Sequence, residues 1–279
     1  MKPKKHLGQH FLSDPNILGQ IVDALAPAPG ETVIEIGPGE GGLTRLLADR
    51  GAQVIAIEKD RRLAGELAEH EKREAGNVNR ETGNVRIVEG DALTADWHQL
   101  VRTPFPVSRV PFPEFSVIGN IPYYITSPLL EKALTPPLPS RIVFLVQREV
   151  ADRITAAPGS KTYGALSVGI QAQCRAERLL TVKAGAFRPP PKVDSAVVRL
   201  TPLAAPVVAP EEGRAFRRFV TACFSRRRKQ LRNVLAGVVG RAPAAVAAAL
   251  AGMGFDPTVR PERLSAGDFA RLLLWSRQL

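Results

Sequence analysis

The feature that most constrains the fold of this chain is a glycine-rich turn between an apolar run and an amphipathic run. Thr32–Ile36 has the β-branched composition of a buried strand, and Leu43–Asp49 has the spacing of a helix. Gly37, Gly39 and Gly42 lie between them. Glycine lets the backbone bend sharply and approach a ligand closely, so this segment predicts a ligand-binding turn after the first strand of an α/β domain.

Strand-like and helical runs continue to alternate after this turn, which favours a parallel, doubly wound sheet. The further predicted strands are Gln53–Ile57, Val85–Val88, Phe115–Ile118, Arg141–Val146 and Ala196–Leu200. A first helix is predicted with Asp14 as N-cap and Pro15 at its first position, and another over Arg61–Lys72. The polar stretch Glu69–Asn84 and the proline-rich stretch Pro104–Pro113 are predicted to be surface loops.

The composition changes after about residue 200. Thr201–Glu212 contains three prolines and predicts a linker, and the segments beyond it are rich in Ala, Leu and Arg. Helical patterns cover Arg214–Ala236, Pro243–Met253 and Ser265–Trp275, the last opening with the Ser-x-x-Asp form of a capping box. We therefore predict an α/β domain over residues 1–203 and a small helical domain over residues 204–279.

The charge of the chain indicates a polyanionic partner. Its 279 residues carry a formal net charge of +11, and 28 of the 38 basic residues are Arg, which suits bidentate contact with phosphate. The segment 214–241 contains nine basic and no acidic side chains. A solvated helix face would also be basic, but nine cations without a counter-charge favour nucleic acid. A membrane surface is disfavoured because the segment lacks a long apolar face.

Cysteine, histidine and hydropathy patterns indicate the cellular compartment of the protein and whether its chemistry uses a metal. Cys174 and Cys223 are too few and too far apart in sequence to form a disulfide framework, and no metal-ligand spacing is present among Cys and His. No apolar run approaches the ~18 residues of a membrane span, and polar residues interrupt the basic N-terminus where a signal peptide would be apolar. We expect a cytoplasmic protein that holds no metal.

Acidic residues follow two further strands at the positions where a nucleoside would be bound. Glu58 follows the second strand and is placed to accept hydrogen bonds from a ribose diol. Asp91, between Gly90 and Ala92 after the third strand, is placed to accept from an adenine amino group. The glycine spacing formally fits a dinucleotide, so the turn and Glu58 alone serve NAD and S-adenosylmethionine equally.

The tetrapeptide Asn120–Tyr123 after the fourth strand favours transfer to a base nitrogen. An exocyclic amino nitrogen is a poor nucleophile because its lone pair is delocalised into the ring. The Asn120 side-chain oxygen and the Ile121 carbonyl are suited to accept its two N–H bonds, and Pro122 fixes the turn that aims that carbonyl. Tyr123 is suited to stack on the base. Positioning and electrostatics then carry the reaction without a metal.

With these motifs in place, the sequence resembles the KsgA-type rRNA adenine N6,N6-dimethyltransferases over nearly its whole length. The matching segments are Gln9–Leu12, Glu35–Gly39, Glu58, Gly90–Ala92, Asn120–Tyr124, Gly159–Lys161, Tyr163–Gly164, Leu166–Val168, Phe187, Pro190–Val198, Phe224–Lys229 and Leu264–Ser265. Two positions depart from the family pattern, since His10 stands where Asn is more usual and Ile121 replaces the usual Leu. A histidine there makes the contact with the cofactor depend on tautomer or pH.

The resemblance implies a Rossmann-like, S-adenosylmethionine-dependent methyltransferase domain. It implies cofactor contacts from Gln9, His10, Leu12, Gly37, Gly39, Glu58, Asp91, Ala92 and Asn120. The catalytic residues would be Asn120, Ile121, Pro122 and Tyr123, with Phe187 as a second stacking face for the base. The RNA-binding residues of the helical domain would be Arg226, Arg227, Arg228, Lys229 and Arg232.

The implied reaction is dimethylation of two adjacent adenosines in a hairpin loop near the 3′ end of small-subunit (16S) rRNA. The partner would be this rRNA or an assembling 30S subunit, and nothing requires more than a monomer. The alternatives are a large-subunit rRNA adenine methyltransferase, a DNA adenine methyltransferase, and a ribosome-assembly or RNA-binding factor whose methyl transfer is dispensable. An NAD dehydrogenase has only the glycine spacing and Glu58 in its favour.

Overall fold

A seven-stranded sheet forms the centre of the α/β part of the protein. The computed structural model describes residues 8–77, 83–103, 105, 114–226 and 228–278. The strands are β1 Phe11–Leu12, β2 Thr32–Ile36, β3 Gln53–Glu58, β4 Val85–Glu89, β5 Phe115–Asn120, β6 Arg141–Gln147, β7 Cys174–Val182, β8 Phe187–Arg188 and β9 Ser195–Pro202. The sheet order is β4-β3-β2-β5-β6-β9-β7, and β1 pairs separately with β8.

Eleven α-helices accompany these strands within the described residues. They are α1 Pro15–Leu25, α2 Gly42–Asp49, α3 Arg61–Asn77, α4 Trp97–Arg102, α5 Thr126–Ala133, α6 Arg148–Ile154, α7 Ala165–Gln171, α8 Gly213–Phe224, α9 Leu231–Val239, α10 Pro243–Gly252 and α11 Ala266–Ser276. Short 3-10 turns lie at Tyr123–Ile125, Ala184–Ala186, Pro210–Glu212 and Pro261–Arg263. The six strands predicted from sequence are all present, most of them longer by one or two residues.

The strand order creates a crevice at the carboxyl ends of β2 and β5. Strands β2, β3, β4, β5 and β6 run parallel, while β9 pairs antiparallel with β6. The chain passes outward from β2 through β3 to β4 and then returns to β5 on the other side of β2. Open parallel sheets bind ligands where the direction of winding reverses in this way. All five side chains of β2 are buried, as expected of a strand covered on both faces.

The N-terminal segment is anchored by a helix cap and a two-stranded ribbon. The Asp14 carboxylate accepts hydrogen bonds from the Asn16 and Ile17 amides at 2.9 and 3.3 Å, and Pro15 occupies the first turn, which confirms the predicted start of α1. Strand β1 pairs antiparallel with β8, with Leu12 opposite Phe187.

The chain divides into two compact units whose composition differs from the sequence-based domains. Unit 1 comprises Met1–Ala151 and Glu177–Pro202, and unit 2 comprises Asp152–Ala176 and Leu203–Leu279. The division after Pro202 lies next to the boundary predicted at residue 203. Asp152–Ala176, assigned from sequence to the first domain, belongs to unit 2 because Tyr163 and Val168 are buried in the same apolar cluster as the helices α8–α11.

Three local predictions need correction. Helix α3 continues to Asn77, because the residues after Lys72 include good helix formers and not only the polar residues of a loop. The predicted helix Arg214–Ala236 is two helices, α8 and α9, separated by residues 225–230. Within the predicted linker, Val208 is buried in the unit 2 cluster. Residues 78–82, 104 and 106–113 of the predicted loops lie outside the described residues.

The capping box predicted at the last helix is confirmed. The Ser265 hydroxyl accepts a hydrogen bond from the Asp268 amide at 3.2 Å, and the Asp268 carboxylate accepts one from the Ser265 amide at 2.9 Å. Both cysteines are buried free thiols, and burial raises the pKa of each to about 12. Among the described helices, no single one has the length and apolar composition of a membrane span, although α9 and α10, bent by 112°, meet that test when taken together.

Candidate active site

One cavity of about 240 Å³ lies at the carboxyl ends of β2, β3, β4 and β5 in unit 1. The structure brings every sequence-predicted cofactor-binding and catalytic residue to its wall. These residues are Gln9, His10, Leu12, Gly37, Gly39, Glu58, Asp91, Ala92, Asn120, Ile121, Pro122 and Tyr123. They come from five separate segments of sequence, so their convergence is a property of the fold.

The glycine turn forms one side of this cavity. Gly37 and Gly39 have φ angles of +65° and +56°, in the left-handed region that only glycine adopts readily. A Cβ atom on Gly39 would also approach the Phe11 ring to 3.0 Å. The Gly39 amide donates a hydrogen bond of 3.1 Å to Glu58, which ties the turn to the end of β3.

Glu58 is a buried carboxylate held by backbone amides. It is the last residue of β3 and is 6% exposed. One oxygen accepts from the Gly39 amide and the other from the Asp60 amide at 2.8 Å. Burial raises the pKa of Glu58. Each carboxylate oxygen has a second lone pair, so Glu58 is able to accept the two hydroxyl hydrogens of a ribose diol as well.

Asp91 is an ionised acceptor at the end of β4. The Lys59 ammonium donates to Asp91 Oδ2 at 2.8 Å, and the Leu93 amide donates to Oδ1 at 2.9 Å. The contact with Lys59 lowers the pKa of Asp91, and the same contact raises the pKa of Lys59. Sequence reasoning found Asp91 but missed Lys59, whose only signal was its position directly after Glu58.

The loop that follows Asp91 is held by two side chains that the sequence did not single out. The buried Trp97 indole donates from Nε1 to the Ala92 carbonyl at 2.9 Å. The Lys132 ammonium on α5 donates to the Leu93 carbonyl at 2.8 Å and to the Ala95 carbonyl, and lies 5.2 Å from the centre of the Trp97 ring. Carbonyl groups of this loop are therefore fixed in direction before any ligand binds.

Asn120 and Ile121 present two oxygen atoms that accept no hydrogen bond from the described residues. The Asn120 Nδ2 group donates to the His10 carbonyl at 2.7 Å, which orients the amide and leaves Oδ1 as a free acceptor. The Ile121 amide donates to the Leu145 carbonyl at 3.0 Å, whereas the Ile121 carbonyl oxygen receives no donor from the described chain. Two adjacent acceptors match the two hydrogens of an exocyclic amino group.

The Tyr123 ring is held in place beside these acceptors. Its hydroxyl lies 2.8 Å from the Ser195 hydroxyl, and its ring stacks on the His10 imidazole with centroids 5.7 Å apart and an interplanar angle of 28°. Burial raises the pKa of Tyr123, which keeps the phenol neutral. His10 Nδ1 is 2.7 Å from the Pro189 carbonyl oxygen. Because a carbonyl oxygen only accepts, Nδ1 donates this hydrogen bond, and the bond holds the imidazole in place. His10 thus positions both Asn120 and Tyr123.

Comparison with known proteins decides the family. The sequence profile of the ribosomal RNA adenine dimethylase family matches residues 1–275. The chain belongs to this family. A ribosomal RNA small subunit methyltransferase A from Pediococcus pentosaceus is 40% identical, covering 98% of this chain and 89% of the relative, and one from a Synechococcus strain is 43% identical, covering 97% and 91%. The family is one of S-adenosylmethionine-dependent methyltransferases, and the sequence-based assignment to it is confirmed.

Solved structures agree with this assignment and confirm the Rossmann-like fold. A dimethyladenosine transferase from Plasmodium falciparum superposes with a TM-score of 0.77 at 26% identity, covering 96% of this chain and 98% of that one. The 23S rRNA methyltransferase ErmE superposes with a TM-score of 0.70 at 30% identity, covering 96% and 100%. The likeness to each of them extends beyond the methyltransferase sheet to most of the chain.

Phe187 is the sequence-predicted site residue that the structure does not bring to the cavity. It lies in β8, paired with Leu12 of β1, and is only 2% exposed. Its ring packs in the apolar cluster that contains Val182 and Val197. A base therefore has no access to its face in this conformation. The residue supports the ribbon that carries His10 and Leu12, which is a packing role.

The predicted RNA-binding residues lie in unit 2, around the break between α8 and α9. Arg226, Arg228 and Lys229 are exposed and Arg232, in α9, is half-buried. Within the part of the chain that the structure describes, none of these four forms an ion pair with an acidic side chain. Arg227 lies outside the described residues. The break in the helix presents the cations on a turn, with the Lys229 amide bonded to the Arg226 carbonyl.

A second buried carboxylate lies at the cavity wall. Glu35 in β2 accepts a hydrogen bond of 2.6 Å from the Thr44 hydroxyl, and burial, with the nearby charge of Glu58 adding to it, raises the pKa of Glu35 to about 7. The sequence placed this residue in the glycine motif without assigning it a separate role. Its burial follows from the position of β2 in the centre of the sheet.

Proposed function

We propose that this protein transfers methyl groups from S-adenosylmethionine to N6 of two adjacent adenosines in a hairpin loop near the 3′ end of small-subunit (16S) rRNA. The product is N6,N6-dimethyladenosine, and the reaction belongs to small-subunit biogenesis. The family and the curated relatives named ribosomal RNA small subunit methyltransferase A support this proposal. The pair of free acceptors at Asn120 and Ile121 is the observation on this chain that carries it.

The residues of the cavity fit S-adenosylmethionine. Glu58 offers carboxylate oxygens to a ribose diol, and the ionised Asp91 offers one to an adenine amino group. Gly37 and Gly39 present backbone rather than side chain to the ligand. When bound, the cofactor supplies an electrophilic methyl group on a sulfonium sulfur. We assign Gln9, His10, Leu12, Gly37, Gly39, Glu58, Asp91, Ala92 and Asn120 to holding it.

The chemical task of the protein is to hold the target amino group in the reactive direction. In the first transfer to each base, Asn120 Oδ1 and the Ile121 carbonyl accept the two N–H bonds, and in the second transfer one of them accepts the single N–H that remains. These contacts favour a pyramidal nitrogen with its lone pair available, and each transfer releases one proton from the nitrogen to solvent. Tyr123, locked by Ser195 and His10, stacks on the base. Because these groups are already fixed, little reorganisation is required at the moment of transfer. A base in a hairpin loop is partly unstacked, which lowers the few-kcal/mol cost of extruding it.

The C-terminal helical region, residues 204–279, is proposed to bind the RNA. Arg226, Arg228, Lys229 and Arg232, together with Arg227, would contact phosphates of the flanking helix. An excess of cations at one turn suits a substrate whose backbone charge is constant whatever its sequence. We further propose that the protein acts as a monomer in the cytoplasm and that its partner is the 16S rRNA or an assembling 30S subunit.

Radiolabelled S-adenosylmethionine and unmethylated small-subunit particles test the proposal directly. The label is mapped by nuclease digestion. We expect N6,N6-dimethyladenosine in one hairpin loop of the small-subunit rRNA. Absence of label, with cofactor-independent binding to the particle, would replace the proposal with an assembly-factor role. In a parallel assay with large-subunit rRNA, label there instead would indicate an activity like that named for the similar ErmE structure.

A further inference from the structure

An exposed aromatic side chain lies at the cavity wall directly after the catalytic motif. Tyr124 is 54% exposed and lines the cavity together with Tyr123. Among the described large hydrophobic residues that are exposed, it is the one aromatic; the others are Leu179, Val193, Val207 and Leu274. The proposed contacts with cofactor and target base leave this ring without a role.

The two consecutive tyrosines differ in how they are held. Tyr123 is half-buried, stacked on His10 and hydrogen-bonded to Ser195. Tyr124 has no hydrogen bond or ring partner among the described residues. One edge of its ring runs beside Gly8, where a Cβ atom would lie 3.5 Å from Cδ1. Tyr124 therefore presents a large apolar surface to solvent at a catalytic cavity.

Because RNA is a continuous chain, the nucleotide next to the target adenosine lies close to Tyr124. Consecutive Cα atoms are 3.8 Å apart, so Tyr123 and Tyr124 lie next to each other at the cavity. A target adenosine that enters the cavity leaves its neighbour outside, one phosphodiester away. Aromatic side chains bind unstacked bases whatever their identity because every base has a π-face.

We propose that Tyr124 is the stacking platform for the nucleotide adjacent to the adenosine held in the cavity. The inference rests on the proposed function and adds a binding site for a second nucleotide. Since the two target adenosines are adjacent, the base on this platform is the other target during at least one of the two rounds. Tyr124 then contributes to binding of the loop as a pair of nucleotides and not of one base alone.

Replacement of Tyr124 separates this role from catalysis. Tyr124→Ala should raise KM for the hairpin RNA by about 5- to 150-fold, the change that corresponds to ~1–3 kcal/mol of base stacking. Tyr124→Phe should restore KM, and KM for S-adenosylmethionine should stay at the wild-type value in both variants. Leu179→Ala removes a comparably exposed apolar side chain, 42% exposed, away from the cavity and serves as the matched control.

Two modified RNAs supply further readouts, and the second gives a result that a loss of folding would not produce. With 2-aminopurine in place of the adjacent adenosine, the wild-type protein and Tyr124→Phe should quench its fluorescence, and Tyr124→Ala should not. With an abasic site at that position, wild type and Tyr124→Ala should have the same KM. Wild-type activity with unchanged KM and quenching in Tyr124→Ala would overturn this inference alone. A wild-type protein that methylates no adenosine in small-subunit particles would overturn the proposed function itself.

Discussion

The cavity of unit 1 and the basic turn of unit 2 use polar side chains in opposite ways. In the cavity, Glu58 and Asp91 accept hydrogen bonds from backbone or neighbouring groups, and Asn120 donates one to the His10 carbonyl, so all three are fixed. In the turn, Arg226 and Lys229 are exposed and have no acidic partner among the described residues. Chemistry at one nitrogen atom requires fixed groups, whereas attraction to a polyphosphate chain requires only charge in roughly the right place.

The largest effect should come from the cavity, at Asn120. Asn120→Ala removes Oδ1 and also the Nδ2 donor to the His10 carbonyl, so methyl transfer should fall by about 10²- to 10³-fold, as for the loss of one fixed hydrogen-bonding group in other enzymes. Single-turnover assays with saturating RNA measure the effect. The salt dependence of RNA binding should be unchanged, because no phosphate contact is lost.

Asn120→Asp refines that experiment. The carboxylate keeps an oxygen for the target amino group but places a negative charge against the His10 carbonyl. We expect a loss of turnover comparable to that of Asn120→Ala, with cofactor binding retained in part. Wild-type turnover in either variant would exclude Asn120 from the reaction. The fixed position of its side chain would then have no catalytic consequence.

The same contrast explains how much could be predicted from sequence. The first strands were predicted because Thr32–Ile36 and Gln53–Ile57 are short β-branched runs that the centre of a parallel sheet buries. The site was predicted because its residues follow such strands. Cations of the turn were visible as a run of Arg and Lys, since a charge excess does not depend on the fold. In both regions the predictions therefore depended only on local sequence pattern and on the chemistry of the side chains.

What the sequence did not reveal depends on contacts between distant segments. Strand β7 was missed because its run Cys174–Val182 mixes charged and apolar residues in no clear alternation. Ser195 and Lys132 became part of the site only when the fold placed them beside Tyr123 and the loop after β4. The burial of Phe187, which the sequence placed at the substrate base, was not foreseen because its pairing with Leu12 could not be predicted from either segment alone.

The buried carboxylates of the cavity should cost stability that the exposed turn does not. The pKa of Glu35 is raised from 4.5 to about 7, so the folded state holds a proton that the unfolded chain releases. The free energy of unfolding should therefore fall as pH rises from about 4.5 to 7, by about 3 kcal/mol in total from this group. Glu58, whose pKa is also raised, contributes with the same sign.

Glu35→Gln should remove most of that pH dependence. Denaturant unfolding at pH 5 and pH 7.5 measures it, and the variant should lose less stability between the two than the wild type does. Glu66→Gln, which changes an exposed carboxylate paired with Arg62, is the matched control and should behave as wild type. Equal pH dependence in wild type and Glu35→Gln would show that Glu35 is charged in the folded state at neutral pH.

The basic turn should respond in salt dependence and not in turnover. Changing Arg226, Arg228 and Lys229 together to Gln should weaken RNA binding and flatten the slope of log K against log salt by about 2 to 3, if each contacts one phosphate. The control replaces Arg50, Arg61 and Lys72, which have the acidic partners Asp23, Glu89 and Glu69. It removes the same charge, so an equal loss of slope in both triples would mean that net charge alone attracts the RNA.

The smallest effect should come from the side chains that hold the loop carrying Asp91 and Ala92 without lining the cavity themselves. Lys132→Met keeps most of the side-chain volume but removes the donors to the Leu93 and Ala95 carbonyls, so the loop carrying Asp91 and Ala92 loses its anchor. We expect KM for S-adenosylmethionine to rise about tenfold. This is the size of effect expected from the loss of hydrogen bonds from a charged donor that is partly exposed to solvent. Trp97→Phe, which keeps an aromatic ring beside Lys132 but removes the bond to the Ala92 carbonyl, should raise it less. If neither variant changes this KM, the hydrogen bond from the Leu93 amide to Asp91 is sufficient to shape the loop. The cavity residues would then be held by their own hydrogen bonds alone, without the contacts that Lys132 and Trp97 make behind the loop.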